Sequence, residues 1–144
     1  MNERQGFYTM KGYSLQQSSP LTNAMEDYLE MMVRLTLAGQ PIRVNNLSKL
    51  LHVRSSSVTK MVRQLAAAGY LQAEKYGDII LTDKGLQAGN YLLYRHAVLQ
   101  RFLCYLNHSE DELEQVEKIE HFLAPRTIKN LELLLKRLEE DTAE

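Results

Sequence analysis

The spacing of apolar residues predicts three helices in the N-terminal half of the chain. Met25, Leu29 and Met32 recur at steps of three and four residues, so they lie on one face of a helix. Two shorter apolar runs, at about 45–51 and 55–68, predict two further helices with a tight break between them. Two short helices joined in this way are typical of a helix-turn-helix motif, in which the second is the recognition helix.

Polar residues and glycines mark the expected ends of these helices. Gly39 and Gly69 follow the first and the third helix, where a C-terminal glycine commonly stops a helix. Each helix start carries side chains that can accept a hydrogen bond from the free N–H groups of the first turn. These candidate caps are Thr22 or Asn23, Asn45 or Asn46, Ser55 or Ser56, and, for a fourth and longer helix, Thr82.

After Gly69 the pattern of apolar residues changes to a period that predicts β-strands. Residues 70–75 and 78–81 flank Tyr76 and Gly77, and a glycine at that position permits a tight turn. The expected structure is therefore a β-hairpin. A hairpin directly after a helix-turn-helix motif is the wing of a winged-helix DNA-binding domain.

The C-terminal half of the chain is predicted to be helical throughout. A long helix is expected at about 83–106, an acidic helix at about 109–123 and a last helix at about 127–140. The terminal helices carry more apolar residues, such as Leu131 and Leu135, than a small domain easily buries. We therefore predict a helical interface between two copies of the chain.

These elements predict a mainly α-helical fold with a small β-hairpin, built from an N-terminal winged helix-turn-helix domain and a C-terminal helical dimerisation domain. The expected boundaries are a flexible tail at 1–20, the winged-helix domain at 21–83, and a helical linker with the dimerisation and metal-binding domain at 84–144. The length of 144 residues fits one domain, or two small ones that share a core.

Composition narrows the expected location of the protein. The sequence contains no stretch of about 18 apolar residues, so no membrane span is predicted. Residues 1–20 also lack the apolar segment of a secretory signal. Cys104 is the single cysteine, so neither a disulfide framework nor a thiolate zinc cluster within one chain is expected. We therefore predict a cytoplasmic protein with no membrane partner.

Charge is distributed unevenly, although the formal net charge is only −1. Residues 107–144 contain eleven acidic and five basic side chains, whereas residues 31–73 contain no acidic side chain. Residues 31–73 are therefore expected to face a polyanion such as double-stranded DNA. A small α+β core with a solvated basic face is the alternative, but it does not explain why 43 consecutive residues lack acids. The basic residues of this segment are Arg34, Arg43, Lys49, Arg54, Lys60 and Arg63.

The candidate DNA contacts lie on the polar face of the recognition helix and on the wing. Hydroxyl groups and cationic side chains bind phosphates and base edges, although each of these residues taken singly could be a solvated surface residue. If they do bind DNA, affinity should fall steeply with added salt. The candidates are Arg54, Ser55, Ser56, Ser57, Thr59, Lys60 and Arg63, with Lys75 and Tyr76 at the wing.

Carboxylates and histidines recur at helical spacing in three of the predicted helices, where side chains three and four residues apart share one face. Taken singly, each group is most simply a solvated polar face, a first-turn acid favoured by the helix dipole, or an ordinary core or surface histidine. Spacing along the chain does not show that the three helices meet. If they do, six side chains could converge on one or two metal ions: Asp27, Glu30, His96, Glu117, Glu120 and His121.

Six short motifs together resemble a known family. They are Met25-Glu26-Asp27-Tyr28-Leu29-Glu30, Arg54-Ser55-Ser56-Ser57-Val58-Thr59-Lys60-Met61-Val62, Glu74-Lys75-Tyr76-Gly77, Leu81-Thr82-Asp83-Lys84-Gly85, Tyr94-Arg95-His96 and Val116-Glu117-Lys118-Ile119-Glu120-His121. In this order and spacing they resemble the manganese transport regulators, the manganese-responsive branch of the diphtheria toxin repressor family, over about residues 22–140. The resemblance implies a homodimer that binds a palindromic operator and represses metal-uptake genes when metal is bound.

The resemblance also implies a binuclear site formed by the same six residues, with Glu117 and Glu120 as the expected bridges. The iron-responsive branch has methionine at the position of Asp27 and cysteine at that of Glu117. Carboxylates at both positions favour manganese over softer metals, so two Mn²⁺ per chain are expected. Phe122 stands where close relatives often carry a second histidine, which is not one of the six.

Two other functions are compatible with parts of this pattern. A winged-helix regulator could respond to another divalent metal such as iron, or to a signal that is not a metal. Two metal ions could also activate a water for hydrolysis, but no phosphate-cradling glycine loop or nucleophile elbow is present in the sequence. We therefore expect neither an enzyme nor a small organic substrate.

Overall fold

The computed structural model of the chain describes residues 21–74 and 77–142. The predicted tail at 1–20 and the candidate wing contacts Lys75 and Tyr76 lie outside the described residues. The elements follow one another in the order α1 (Asn23–Leu37), α2 (Val44–Leu51), α3 (Ser55–Ala67), β1 (Leu71–Ala73), β2 (Ile79–Leu81), α4 (Asp83–Asn107), α5 (Leu113–Ile119), a 3₁₀ turn (Glu120–Phe122) and α6 (Pro125–Thr142). The predicted fold class, mainly helical with one small hairpin, is confirmed.

Two of the four predicted N-caps are confirmed. The Thr22 hydroxyl accepts a hydrogen bond from the Met25 N–H, and the Thr82 hydroxyl accepts one from the Gly85 N–H, both at 3.1 Å. These contacts satisfy backbone donors that the first turn leaves free. They fix the starts of α1 and α4, the two helices that later meet around the polar site.

The predicted caps of α2 and α3 are wrong. These helices follow Arg43 and Arg54, and neither has a side-chain cap. The Asn46 amide donates instead to the Pro41 carbonyl at 3.3 Å, which fixes the approach to α2. The turn between the helices is closed by the Ser48 hydroxyl, which donates to the Val53 carbonyl at 2.6 Å. Local hydrogen bonds that hold the turn have therefore replaced the expected caps.

The acidic helix is shorter than predicted. Its first turn is preceded by a loop in which the Asp111 carboxylate accepts a hydrogen bond from the Leu113 N–H at 2.9 Å. At the other end the backbone tightens after Ile119 into the 3₁₀ turn. Glu120 and His121 therefore lie on this turn and not on the α-helix that carries Glu117.

The wing is a short antiparallel hairpin. Leu71 pairs with Leu81 and Ala73 with Ile79, so the strands are shorter than the alternating pattern predicted. Gly77 has a positive φ of 108°, which a residue with a side chain rarely adopts. The Ile79 N–H also donates to the Ile42 carbonyl at 3.2 Å, which ties the hairpin to the segment between α1 and α2.

Two hydrophobic clusters are arranged along the long helix α4. The first joins α1, α2, α3 and the wing, and includes Leu29, Leu47, Leu65 and Leu92. The second lies against α5 and α6 and begins on α4 at Val98. The stretch of α4 between Leu92 and Val98 therefore marks the passage from one core to the other.

Helices α1 and α4 approach each other closely at a glycine. A Cβ placed at Gly89 would collide with the Val33 side chain of α1, and it would lie 3.3 Å from the Leu29 carbonyl oxygen. A glycine is therefore required here by the packing of the two helices. Within the described residues, no helix has the length and apolar character needed to cross a membrane.

Candidate metal centre and nucleic-acid interface

The polar site forms where the two hydrophobic cores meet. Helix α1 brings acidic side chains from the N-terminal core, α4 brings a histidine from the junction, and α5 and the 3₁₀ turn close the site from the C-terminal side. All six residues predicted as metal ligands fall in two groups whose candidate ligand atoms lie within 4.8 Å of one another in each group. The groups are Glu30, His96, Glu117 and Glu120, and Asp27, Glu120 and His121.

The first group surrounds the imidazole of His96. Its Nδ1 lies 3.2 Å from the Glu120 carboxylate, 3.6 Å from Glu30 and 3.8 Å from Glu117. Glu30 is also paired with Arg34 one helical turn later, at 3.4 Å. Three carboxylates from three separate elements thus face one histidine nitrogen.

The second group surrounds the imidazole of His121. Its Nε2 lies 3.0 Å from the Asp27 carboxylate, and its Nδ1 lies 2.8 Å from the carboxylate of Glu26. Both ring nitrogens of His121 therefore face carboxylates of α1. Since Asp27 belongs to the group of candidate ligands, the Nε2 side is the one turned toward the candidate metal position.

Glu120 is the residue common to both groups. Only 1% of this residue is exposed, and one of its carboxylate oxygens, Oε1, has no hydrogen-bond partner among the described residues. A buried carboxylate oxygen without a donor is costly, and a cation is one partner that would satisfy it. The expected bridging role is thus geometrically available to Glu120, whereas Glu117 falls in the first group alone.

The donor set fits a hard divalent cation. The two groups contain carboxylate oxygens and imidazole nitrogens and no sulfur atom, and such sets suit manganese and related metals better than soft ones. Each of the six residues thus offers an oxygen or a nitrogen atom as a candidate ligand. The site is compatible with binding one or two ions.

The protonation of the cluster reflects the crowding of its carboxylates. Burial, and then the neighbouring charge of Glu120, raises the pKa of both Glu30 and Glu117. The hydrogen bond to Glu120 raises the pKa of His96. Hydrogen bonds to Asp27 and then Glu26 raise the pKa of His121 to about 10. In the metal-free protein, protons on the imidazoles therefore offset part of the negative charge that a cation would otherwise neutralise.

Two further residues, Glu26 and Arg95, border the site, although neither of them was assigned to it from the sequence. Arg95 is 4% exposed, and its Nη1 lies 3.3 Å from the Glu26 carboxylate that contacts His121. Each is the immediate neighbour of a predicted ligand, Asp27 or His96. That adjacency is the signal that could have suggested them, but a buried arginine cannot be recognised before the packing is known.

The candidate DNA contacts among the described residues lie on α3 and at its N-cap, and none of them belongs to either ligand group. Arg54, Ser55, Ser56, Ser57, Lys60 and Arg63 are all exposed. Thr59 is half-buried, and its hydroxyl donates to the Ser55 carbonyl one turn earlier at 3.0 Å. The start of α3 has no side-chain cap, so its free N–H groups can face a phosphate.

The fold and the carboxylate–histidine cluster together define a winged-helix DNA-binding protein with a candidate divalent-metal centre. Residues 20–79 match the family described as iron dependent repressor, N-terminal DNA binding domain, and residues 82–143 match iron dependent repressor, metal binding and dimerisation domain. The chain belongs to this family of metal-dependent transcriptional repressors, which bind DNA and form homodimers. The resemblance deduced from the six sequence motifs is thereby confirmed.

Individual relatives agree with this assignment. The HTH-type transcriptional regulator MntR of Bacillus subtilis (strain 168) is 40% identical over 123 residues, which cover 85% of this chain and 87% of the relative. The regulator MntR of Geobacillus kaustophilus (strain HTA426) is 40% identical over 121 residues, which cover 83% and 86%. These relatives are transcriptional regulators.

Solved structures share the fold. The manganese regulator SloR superposes with a TM-score of 0.71 at 23% identity, covering 81% of this chain and 55% of that one. ScaR with bound Zn²⁺ superposes with a TM-score of 0.66 at 28% identity, covering 78% and 53%. The chain thus spans about half the length of these structural neighbours.

Proposed function

We propose that the chain is a manganese-responsive repressor whose six clustered residues hold two Mn²⁺ per chain between its DNA-binding and dimerisation parts. The single observation that carries the proposal is the position of Glu120, a buried carboxylate common to both ligand groups and lacking a donor for Oε1 among the described residues. The absence of sulfur from both groups suits manganese better than soft metals, and the iron-responsive branch of the family that the motifs resemble carries sulfur at the positions of Asp27 and Glu117. In this proposal the genes repressed are those for manganese uptake, as in the family branch that the motifs resemble.

The proposed switch depends on which elements carry the ligands. Asp27 and Glu30 belong to α1, which packs with the recognition helix in the first hydrophobic core. Glu120 and His121 follow α5, which packs in the second core. A divalent cation, when bound, supplies the positive charge that lets these carboxylates approach one another. Closing the cluster therefore fixes α1 and the recognition helix relative to the dimerising helices.

In this proposal, DNA binding depends on the distance between the two recognition helices of the homodimer. In a homodimer, the two recognition helices must lie about one DNA turn apart, roughly 34–36 Å, to read a palindromic site. Without neutralisation, repulsion among the carboxylates should broaden the distribution of that spacing. A preference of about 3–5 kcal/mol for the competent arrangement would change occupancy by roughly two to four decades.

The direct test is a substitution of the shared carboxylate. Glu120→Ala should abolish the effect of Mn²⁺ on operator affinity, because both ligand groups lose a member. Fluorescence anisotropy on a palindromic site, with Mn²⁺ or with a chelator, measures that effect. The expected loss is roughly the full two to four decades by which metal strengthens binding in the unaltered protein. Calorimetric titration should count two ions per unaltered chain.

Glu114→Ala provides the matched control for this experiment. Glu114 lies on α5, the helix that directly precedes the turn with Glu120, but its side chain is 86% exposed and pairs with Lys118. This variant should respond to Mn²⁺ like the unaltered chain. A Glu120→Ala variant that still bound the operator tightly at micromolar Mn²⁺ would overturn the proposal, and a stronger response to Fe²⁺ than to Mn²⁺ would overturn its choice of metal.

A further inference from the structure

The buried pair Glu26 and Arg95 adjoins the candidate metal cluster without belonging to either ligand group. Glu26 Oε1 lies 2.8 Å from Nδ1 of His121, and its other oxygen, Oε2, lies 3.3 Å from Nη1 of Arg95. The side chains of Glu26 and Arg95 are 15% and 5% exposed. Such a nearly buried ion pair is expensive to form, so its place beside a candidate ligand calls for a function.

We infer that Glu26 is a positioning residue that sets the tautomer and orientation of His121 for metal binding, and that Arg95 in turn holds Glu26. This inference rests on the proposed function, since it assigns a role toward the metal held by the second ligand group. The experiments below separate its failure from the failure of that function.

The first step concerns which ring nitrogen of His121 is free to bind a cation. An imidazole that coordinates a metal through one nitrogen carries a proton on the other. Nδ1 faces Glu26, which is in neither ligand group, whereas Nε2 faces Asp27, which is in the second group. With the proton on Nδ1 and donated to Glu26, the lone pair of Nε2 points at the candidate metal position. A carboxylate behind a ligating histidine is a common way to fix the ring and raise its basicity.

The second step concerns Arg95, which fixes the acceptor. Its Nη1 contacts the Glu26 oxygen that His121 leaves free, so each carboxylate oxygen has its own donor. Its Nη2 lies 3.5 Å from Nδ1 of His121, and this approach cannot be a hydrogen bond once Nδ1 carries a proton. The guanidinium therefore acts on His121 through Glu26. Because Arg95 lies on α4 and Glu26 on α1, the pair also links the helices that carry His96 and Asp27.

The test measures each metal ion separately. Glu26→Ala should weaken one of the two Mn²⁺ ions by about 10–100-fold in a calorimetric titration, the range typical for loss of an outer partner of a ligand, and leave the other within about threefold. Glu26→Gln should lose less, because its amide oxygen still accepts the proton of Nδ1. The control is Glu114→Ala, which should bind both ions like the unaltered chain.

A second readout follows the ring itself and does not depend on repression. In the Zn²⁺-loaded protein, which is diamagnetic, long-range ¹H–¹⁵N spectra should show His121 protonated at Nδ1 in the unaltered chain and in Glu26→Gln. In Glu26→Ala that tautomer should no longer be fixed. Circular dichroism of the metal-free variants verifies that they are folded, and if Glu26→Ala does not fold, the Glu26→Gln titration and the unaltered spectrum still decide.

The outcomes are distinguishable. Equal weakening of both ions by Glu26→Ala, no weakening of either, or a His121 ring bound through Nδ1 would overturn the inference and leave the proposed function standing. An unaltered chain that takes up no Mn²⁺ would overturn both. Selective loss of one ion, with partial rescue by glutamine, would establish the positioning role.

Discussion

The recognition helix and the carboxylate–histidine cluster present their charges in opposite ways. On α3, Lys60 and Arg63 are exposed, and within the described ranges neither makes an ion pair. In the cluster, Glu120 is buried and bonded to His96, and His121 is held between two carboxylates. The cationic side chains of α3 are therefore available to phosphates. In the cluster the charged groups pair with one another, and the buried Oε1 of Glu120 lacks a hydrogen-bond partner among its described neighbours. Under the proposed function, DNA binding and metal sensing depend on different residues, so we expect that each can be impaired without the other.

The largest effect that separates the two regions is expected on the DNA surface. Replacing both Lys60 and Arg63 by alanine should weaken operator binding by at least roughly a hundredfold at low salt. The magnitude of the salt slope should fall by about 4, because each subunit of the homodimer loses two phosphate contacts. Mn²⁺ uptake should be unchanged, because neither residue adjoins a member of the two ligand groups in sequence or makes an ion pair with one among the described residues. Anisotropy titrations over a range of salt concentrations measure both quantities.

Lys118→Ala is the control for the loss of positive charge. Lys118 lies on the acidic helix and pairs with Glu114, so its removal should leave the salt slope as it is. An unchanged slope in the double variant would mean that this face of α3 does not contact the DNA backbone.

The next effect concerns the packing that joins the two regions. Gly89→Ala introduces a Cβ against Val33 of α1 and should destabilise the metal-free protein by about 1–3 kcal/mol, as overpacking of a core does. An alanine in a helix interior would otherwise stabilise by roughly 0.5–1 kcal/mol relative to glycine, so the sign of the change is diagnostic. Urea unfolding monitored by circular dichroism gives the free energy of unfolding. Asn90→Ala, at an exposed neighbouring position of α4, should not destabilise, and a stabilising Gly89→Ala would contradict the close approach of α1 and α4.

The features of the fold that could be predicted from the sequence are those determined by residues close to one another along the chain. The helical period of α1, the glycine of the wing and the caps Thr22 and Thr82 are decided by neighbours within a few residues. The polar face of α3 also followed from the pattern, because the apolar residues on its other face, such as Val58 and Leu65, are buried. Local patterns of this kind are what a single sequence expresses best.

The features of the site that could not be predicted depend mainly on contacts between residues far apart along the chain. His121 and Glu26 are 95 positions apart along the chain, and nothing local to either residue indicates that they meet. The shift into a 3₁₀ turn at Glu120 was likewise missed, since helix spacing predicted an uninterrupted face through Glu117 and His121. The candidate ligands were proposed from helical spacing and from the family resemblance, whereas their division into two groups that share Glu120 required the fold.

The smallest effect expected is a dependence of stability on pH, and its sign separates metal-free from metal-bound protein. The pKa of His121 is raised to about 10 from the ordinary 6.5, so the folded chain retains a proton that the unfolded chain releases. This stabilisation is complete below about pH 6.5 and is lost as the pH rises toward 10. The raised pKa values of Glu30 and Glu117, caused by burial and then by the charge of Glu120, have an effect of the same sign, but that stabilisation is lost as the pH rises from the ordinary 4.5 through the raised values.

The melting temperature of the metal-free protein should therefore fall between pH 6 and pH 9, and His121→Gln should flatten that dependence. With Mn²⁺ the trend should weaken or reverse, since binding displaces the imidazole protons and becomes tighter as the pH rises. Thermal melts in a chelator and in Mn²⁺, at matched ionic strength, measure the two slopes. A metal-free protein that grew more stable with rising pH would show that the protons of the cluster do not hold its carboxylates together, and the contrast with the solvated cations of α3 would then have another origin.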